Sequence, residues 1–214
     1  MPPATDVAGL AGEALFLAAL VVFLPGVRAL GRRSLGALLM GVLAASSWPL
    51  LPLPLAAYAR AVTGDLSITT IALVLRYLVG RFFSWGPMDE RSRVFIAFLL
   101  AVAGLVLYPL ALGLGPHDPY SLGFGNPFFL GALLLLSLAA LVRGLVVVAL
   151  GIGLSVLAWA GGLYESTNLW DYLLDPFAFA YGLLATLGHC GRWARREGRL
   201  GGFSGRGAPE ERSP

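Results

Sequence analysis

Apolar residues run along this chain in long stretches, separated by short polar or basic segments. A bilayer core about 30 Å thick is crossed by about 20 apolar residues in a helix. Seven stretches approach that requirement: Val7 to Pro25, Leu35 to about Ala57, Leu66 to Gly80, Val94 to Leu114, Pro127 to Val142, Leu145 to Leu163, and Leu169 to Cys190. The pattern predicts an all-α, polytopic transmembrane helix bundle of about seven spans over residues 1–190. A flexible Arg/Gly-rich tail is expected over residues 191–214.

Two places strain the pattern. The segment Trp48-Pro49-Leu50-Leu51-Pro52-Leu53-Pro54 cannot form a continuous helix, because each proline removes a backbone donor. It reads as a kinked span or as a broken helix within the bundle. If the third stretch is re-entrant, the count falls to six and the N-terminus changes side. Between residues 127 and 163 only Arg143-Gly144 interrupts the apolar run. One helix of that length overshoots a bilayer, so a tight helical hairpin is expected.

Composition sharpens the class. Hydrophobic residues make up 57% of the 214 residues and charged ones 13%, with mean hydropathy +0.79. Soluble domains carry about 25% charged residues, and a chain of this size has too little interior to hide the excess apolar surface. A water-soluble enzyme and intrinsic disorder are both excluded by this reading. All 15 basic residues are arginine. With the Ala, Leu and Gly excess, this points to a GC-rich bacterial genome and to a multi-pass protein of the bacterial cytoplasmic (inner) membrane. The first residues lack the basic region of a secretory signal, so the first stretch is expected to stay as a helix. The single Cys190 excludes an internal disulfide, and no Cys/His zinc pattern occurs.

Arginine placement predicts orientation. With the C-terminus inside, 13 of the 15 arginines fall in cytoplasmic loops or the tail. Arg60 falls outside and Arg76 within a span. The outer side gathers Asp6, Asp65, Asp118, Glu165, Asp171 and Asp175. Tyr120, Phe124, Tyr164, Trp170 and Tyr172 fall at the outer interface, and Phe82, Phe83, Trp85 and Trp193 at the inner one. The arginines flank apolar stretches, which favours lipid headgroups over nucleic acid as their partners. The six arginines of the tail are assigned to anionic headgroups.

Candidate chemistry lies mostly on the outer side. His117, Asp118, Glu165, Asp171 and Asp175 form a set that could bind a cation or run acid–base chemistry. Asp171 and Asp175 stand four apart and would share a face on one helix. Against this, Asp175-Pro176 has the form of a helix start, with Asp as N-cap and Pro at the first helical position. Residues Ser166 to Asn168 suit the cap of a short interfacial helix at about Leu169 to Leu174. Within the membrane, Glu13 and Arg76 are the polar side chains of interest. An ion pair of Glu13 with Arg60 is geometrically open, whereas Arg76 lies near the inner end and can snorkel. His189-Cys190 is a weak nucleophile pair, because adjacent helical residues point about 100° apart. Neither a nucleophile elbow, nor HExxH, nor a phosphate-binding loop occurs. No cofactor is expected.

The leading functional expectation is a non-enzymatic subunit, or an assembly or scaffold factor, of an envelope membrane complex. A small transporter using the Pro-broken helix and Glu13 is the first alternative. An outer-face enzyme acting on a lipid-linked substrate through the acidic loops is the second.

Overall fold

The computed structural model describes residues 4–49, 52–83, 86 and 88–201, with the side chains of Ala4, Arg28 and residues 196–201 excepted. Leu50, Leu51, Trp85 and the tail from residue 202 lie outside the described residues, and with them part of the Pro-rich break, one expected inner aromatic and most of the expected tail. The described chain is all-α and contains no strand.

The apolar stretches become helices with shifted ends. The first is α1, Ala4–Val22, followed by a single turn, α2, Pro25–Arg28. The second stretch is not one kinked span. It forms α3, Arg32–Ser47, which ends at an extended Trp48, and a separate nine-residue helix, α4, Leu55–Thr63. Proline at 49, 52 and 54 denies the ladder its donors, so the chain breaks rather than bends.

The third stretch is α5, Ile68–Phe83. The Ser67 hydroxyl accepts from the Thr70 N–H at 3.1 Å and closes its first turn. The fourth is α6, Glu90–Ala111. It begins four residues before the expected Val94, because Asp89 caps it by accepting from Ser92 N–H at 2.9 Å. The Asp89 carboxyl is held below its ordinary range, mainly by that backbone hydrogen bond.

The hairpin expectation is met. Helix α7, Pro127–Val142, and helix α8, Val146–Ala160, meet at Gly144, whose φ of +75° is the left-handed conformation a glycine takes without strain. The Leu145 N–H donates to Ala140 O at 2.8 Å and completes the turn. The last stretch divides into α9, Trp170–Leu173, and α10, Pro176–Gly201, with an extended Leu174 between them. Helix α10 continues ten residues past Gly191, where the flexible tail was expected to begin.

Neighbour pairs set the helix directions. Gly12 abuts Ile71 and Phe23 stacks on Tyr77, so α1 and α5 run parallel. Leu35 and Leu39 pack with Ala18, Ala19 and Val22, so α3 returns along α1. Gly104 lies under Phe179 and Gly182 under Leu100 and Ala97, so α6 and α10 are antiparallel. The glycines let these two backbones approach closely.

One apolar cluster joins α1, α3 and α5, and a second joins α6, α8 and α10. A third lies at the N-terminal end of the bundle. There Tyr164, Leu169 and Tyr172 meet the starts of α1, α5 and α7. Helix α4 and the segments 64–67, 112–126 and 161–175 gather at this end.

Among the described residues, two helices are long and apolar enough to cross a membrane: Thr5–Val22 and Glu90–Ala111. Pro127–Val142 and Val146–Ala160 are apolar but shorter. A seven-span bundle is therefore not established by these criteria.

Candidate functional site

Most of the described chain's buried charge and polarity sits at the N-terminal end, in two networks. The first is built on α4. Arg60 holds Asp65 through two hydrogen bonds, Nε to Oδ1 at 2.6 Å and Nη2 to Oδ2 at 3.1 Å. Its Nη1 reaches Asp6 Oδ1 on α1 at 2.9 Å. This fork geometry suits a carboxylate in two-point contact. The two aspartates push the Arg60 guanidinium further above its ordinary range, with Asp65 the larger cause. The pairing passes directly over Gly9. A Cβ there would collide with both Asp65 and Arg60, so α1 needs a residue without a side chain at that position.

One turn along α1 lies Glu13, with 0% of its surface exposed. Its Oε1 accepts from the Thr63 hydroxyl at 2.8 Å, and its Oε2 has no hydrogen-bond partner among the described residues. The expected Glu13–Arg60 ion pair does not form. Arg60 is engaged by Asp6 and Asp65, and Thr63, one turn later on α4, is the residue that faces Glu13. Thr63 Oγ1 also lies 2.9 Å from Ala59 O and 3.1 Å from Gly64 O. Its single hydrogen serves one acceptor at a time.

The second network joins the loops before α7 and α10. Asp175 is the N-cap of α10, with Oδ1 accepting from Ala178 N–H at 2.6 Å. The same oxygen accepts from Thr70 Oγ1 at 2.9 Å, and Oδ2 accepts from Ser67 N–H at 2.7 Å. One carboxylate thus caps α10 and fastens the start of α5. Asp171 turns elsewhere. It accepts from the Tyr120 hydroxyl and from Ser166 Oγ. The two aspartates do not share a helix face, because extended Leu174 separates α9 from α10.

Tyrosines complete this end. Tyr164 and Tyr172 stack with ring centroids 5.0 Å apart. The Tyr172 hydroxyl accepts from Tyr164 N–H at 3.0 Å and lies 3.0 Å from Ser166 O, to which it donates. Burial, then the Asp171 charge, pushes the Tyr120 hydroxyl up to about 12. Burial raises Tyr164 and Tyr172 as well. Asn168 is fully buried and binds Tyr120 O at 2.9 Å, while accepting from Trp170 N–H at 2.9 Å. Its side-chain oxygen occupies the space a Cβ at Gly123 would need. Trp170 Nε1 donates to Pro119 O at 2.8 Å.

The five outer candidates therefore do not converge. His117, Asp118 and Glu165 are exposed. Asp118 caps a short 3-10 turn, Pro119–Gly123, by accepting from Tyr120 N–H at 2.9 Å. Asp171 and Asp175 are occupied in separate hydrogen-bond sets. Among the described residues, no group of three or more His, Cys, Asp or Glu is placed to hold a metal ion.

At the opposite end, Arg76 donates to Gly86 O at 2.6 Å. His189 faces Glu90 on α6, with Nδ1 3.6 Å from Oε1, while Cys190 points outward and is exposed. The divergence of these two neighbours follows from helical geometry.

The residues missed from the sequence are Thr63, Ser67 and Thr70; Asn168 was read as a cap, and accepts from Trp170 N–H at the start of α9, while Tyr120 and Trp170 were read only as interfacial aromatics. Of the three missed, Ser67 alone carried a local signal, as a cap residue three before Thr70. No family model, curated protein or solved structure matches this chain.

Proposed function

We propose that this chain is a multi-pass protein of a bacterial inner membrane, acting as a non-enzymatic subunit or assembly factor. In this reading α1, α3, α5, α6, α7, α8 and α10 are the seven spans. The N-terminal end faces outward and α10 ends in the cytoplasm.

Helix α7 supports the bilayer assignment. It is apolar on every side, yet of its 16 residues Ala140 alone is buried. Leu135 is 69% exposed and Val142 87%. A helix apolar all round belongs in a core or in lipid, and α7 is not in a core. Helices α7 and α8 measure about 24 and 22 Å at 1.5 Å per residue, so the bilayer thins around the hairpin to match them.

The non-enzymatic part rests on one observation: buried Asp175 and half-buried Asp6, Asp65 and Asp171 are spent on loops and caps, not aimed at a shared cleft. Glu13 is the exception, and it favours a carrier as the second reading. Its orphan oxygen lies beside the helix that follows the Pro break, where transporters place substrate sites.

Membrane fractionation and in-cell crosslinking test the proposal. The chain should resist alkaline carbonate extraction and enter a defined complex of fixed stoichiometry. Recovery in the aqueous fraction would overturn the bilayer assignment. Partner-free protein with reconstituted flux that is lost in Glu13→Gln would replace the subunit with the carrier.

A further inference from the structure

Helices α1, α5 and α10 enclose a lateral cleft of about 560 Å³. Drug- and cofactor-sized ligands occupy pockets of about 300–1,000 Å³. One stripe of α5 lines it, from Thr70 through Leu73, Val74 and Tyr77 to Arg81. These positions follow the spacing of a single helical face. Phe16 packs on Phe177 at 4.7 Å and Phe23 on Tyr77 at 4.8 Å, so aromatic pairs from facing helices form its walls.

The polarity of the cleft is one-sided. Its charged lining residues, among those described, are Arg76 and Arg81, and no carboxylate lines it. Both arginines lie toward the end opposite Asp175. The hydrogen bond from Arg76 to Gly86 O holds that guanidinium at the rim. From Thr70 to Arg81 the stripe covers 11 residues, about 16 Å of helix. That is most of the length of α5, so the cleft runs from near the Asp175 end of this helix to its arginine end.

We infer that this cleft holds an anionic phospholipid of the cytoplasmic leaflet, with its phosphate at Arg76 and Arg81 and an acyl chain between the aromatic walls. A neutral apolar occupant would account for the walls but not for two arginines at one end. Guanidinium groups suit phosphate, having donors in a fixed fork. The inference rests on the bilayer reading above.

The test uses full-length protein in nonionic detergent and native mass spectrometry of retained lipid. Dioleoyl phosphatidylglycerol and dioleoyl phosphatidylcholine are added in equal amounts. Phosphatidylglycerol should be retained about tenfold over phosphatidylcholine, the scale expected when two basic side chains meet an anionic headgroup. The pair Arg76→Gln with Arg81→Gln should erase that preference, and the corresponding lysine pair should keep part of it. Substituting Arg192 and Arg195 by Gln should leave it unchanged, which separates the cleft from α10's basic end. If the glutamine pair does not fold, Val74→Trp fills the cleft with both arginines in place, and retention of both lipids should fall. Equal retention of the two lipids by the native chain overturns the inference. So does a preference that survives the variants, or a second copy of the chain found in place of lipid. A chain that never enters membranes fails the earlier reading instead, and fractionation reports that separately.

Discussion

The two ends of this bundle are built by opposite means. At the N-terminal end long loops are drawn inward and tied by buried or half-buried side chains: Asp175 to Ser67 and Thr70, Arg60 to Asp6 and Asp65, Asn168 to Tyr120. At the other end the connections are brief. The turn between α7 and α8 closes through backbone hydrogen bonds around Gly144, and Arg143 there stays exposed. Charge serves as interior fastening at one end and as surface marking at the other. A carboxylate in the first setting is therefore poor evidence of catalysis, however many others lie near it.

Substitutions can break this contrast, the largest effect being expected at Asp175. Asp175→Ala strips acceptors from Ser67 N–H, Thr70 Oγ1 and Ala178 N–H in a site 5% exposed. Buried donors left unpaired cost about 1–3 kcal/mol each, so a loss of about 4 kcal/mol is expected in detergent unfolding. An unchanged midpoint would show that the carboxylate is not a fastening.

Gly123→Ala comes next, at about 2–3 kcal/mol, the scale of overpacking a tight site. Because the new methyl meets Asn168, adding Asn168→Ala should recover part of the loss. Simple additivity of the two would place the strain elsewhere.

At the opposite end Gly144→Ala should cost about 1 kcal/mol, through backbone strain at positive φ alone. It should leave the N-terminal end as protected from hydrogen exchange as before.

The smallest effect is pH-dependent. Tyr120 has its hydroxyl raised to about 12, against about 10 in an unfolded chain. A group whose folded pKa is raised stabilises fully below the unfolded value and loses that contribution as pH climbs through the folded one. Stability should therefore decline between about pH 10 and 12. Tyr120→Phe should cost about 1 kcal/mol at neutral pH and blunt the alkaline decline. A decline of the same depth in the variant would assign it to Tyr164 and Tyr172.

Much of the secondary structure was legible because its signals are local. The break at Pro49–Pro54, the turn at Arg143-Gly144 and the cap at Asp175-Pro176 each depend on a few adjacent residues. Helix ends moved where a cap overrode the apolar pattern, as Asp89 did for α6. The site was less legible, because its partners are remote. Thr63 meets Glu13 across 50 positions, Arg60 meets Asp6 across 54, and Asp175 meets Ser67 across 108. A shared end of the bundle could be expected for these residues, but pairing required the helix directions. The outer acidic set was a candidate site only because it shares a side, and a shared side is a much weaker condition than a shared cleft.

The order of synthesis gives the Glu13–Thr63 contact a further meaning. When α1 leaves the ribosome, the residue that will satisfy its acid has not yet been made. Helix α1 therefore emerges carrying an unanswered polar group, and one oxygen of that carboxylate gains its partner only once the short helix behind the proline break arrives. The packing of α1 is thus completed from behind, and a chain stopped before residue 63 would hold this helix less firmly than the longer chain does.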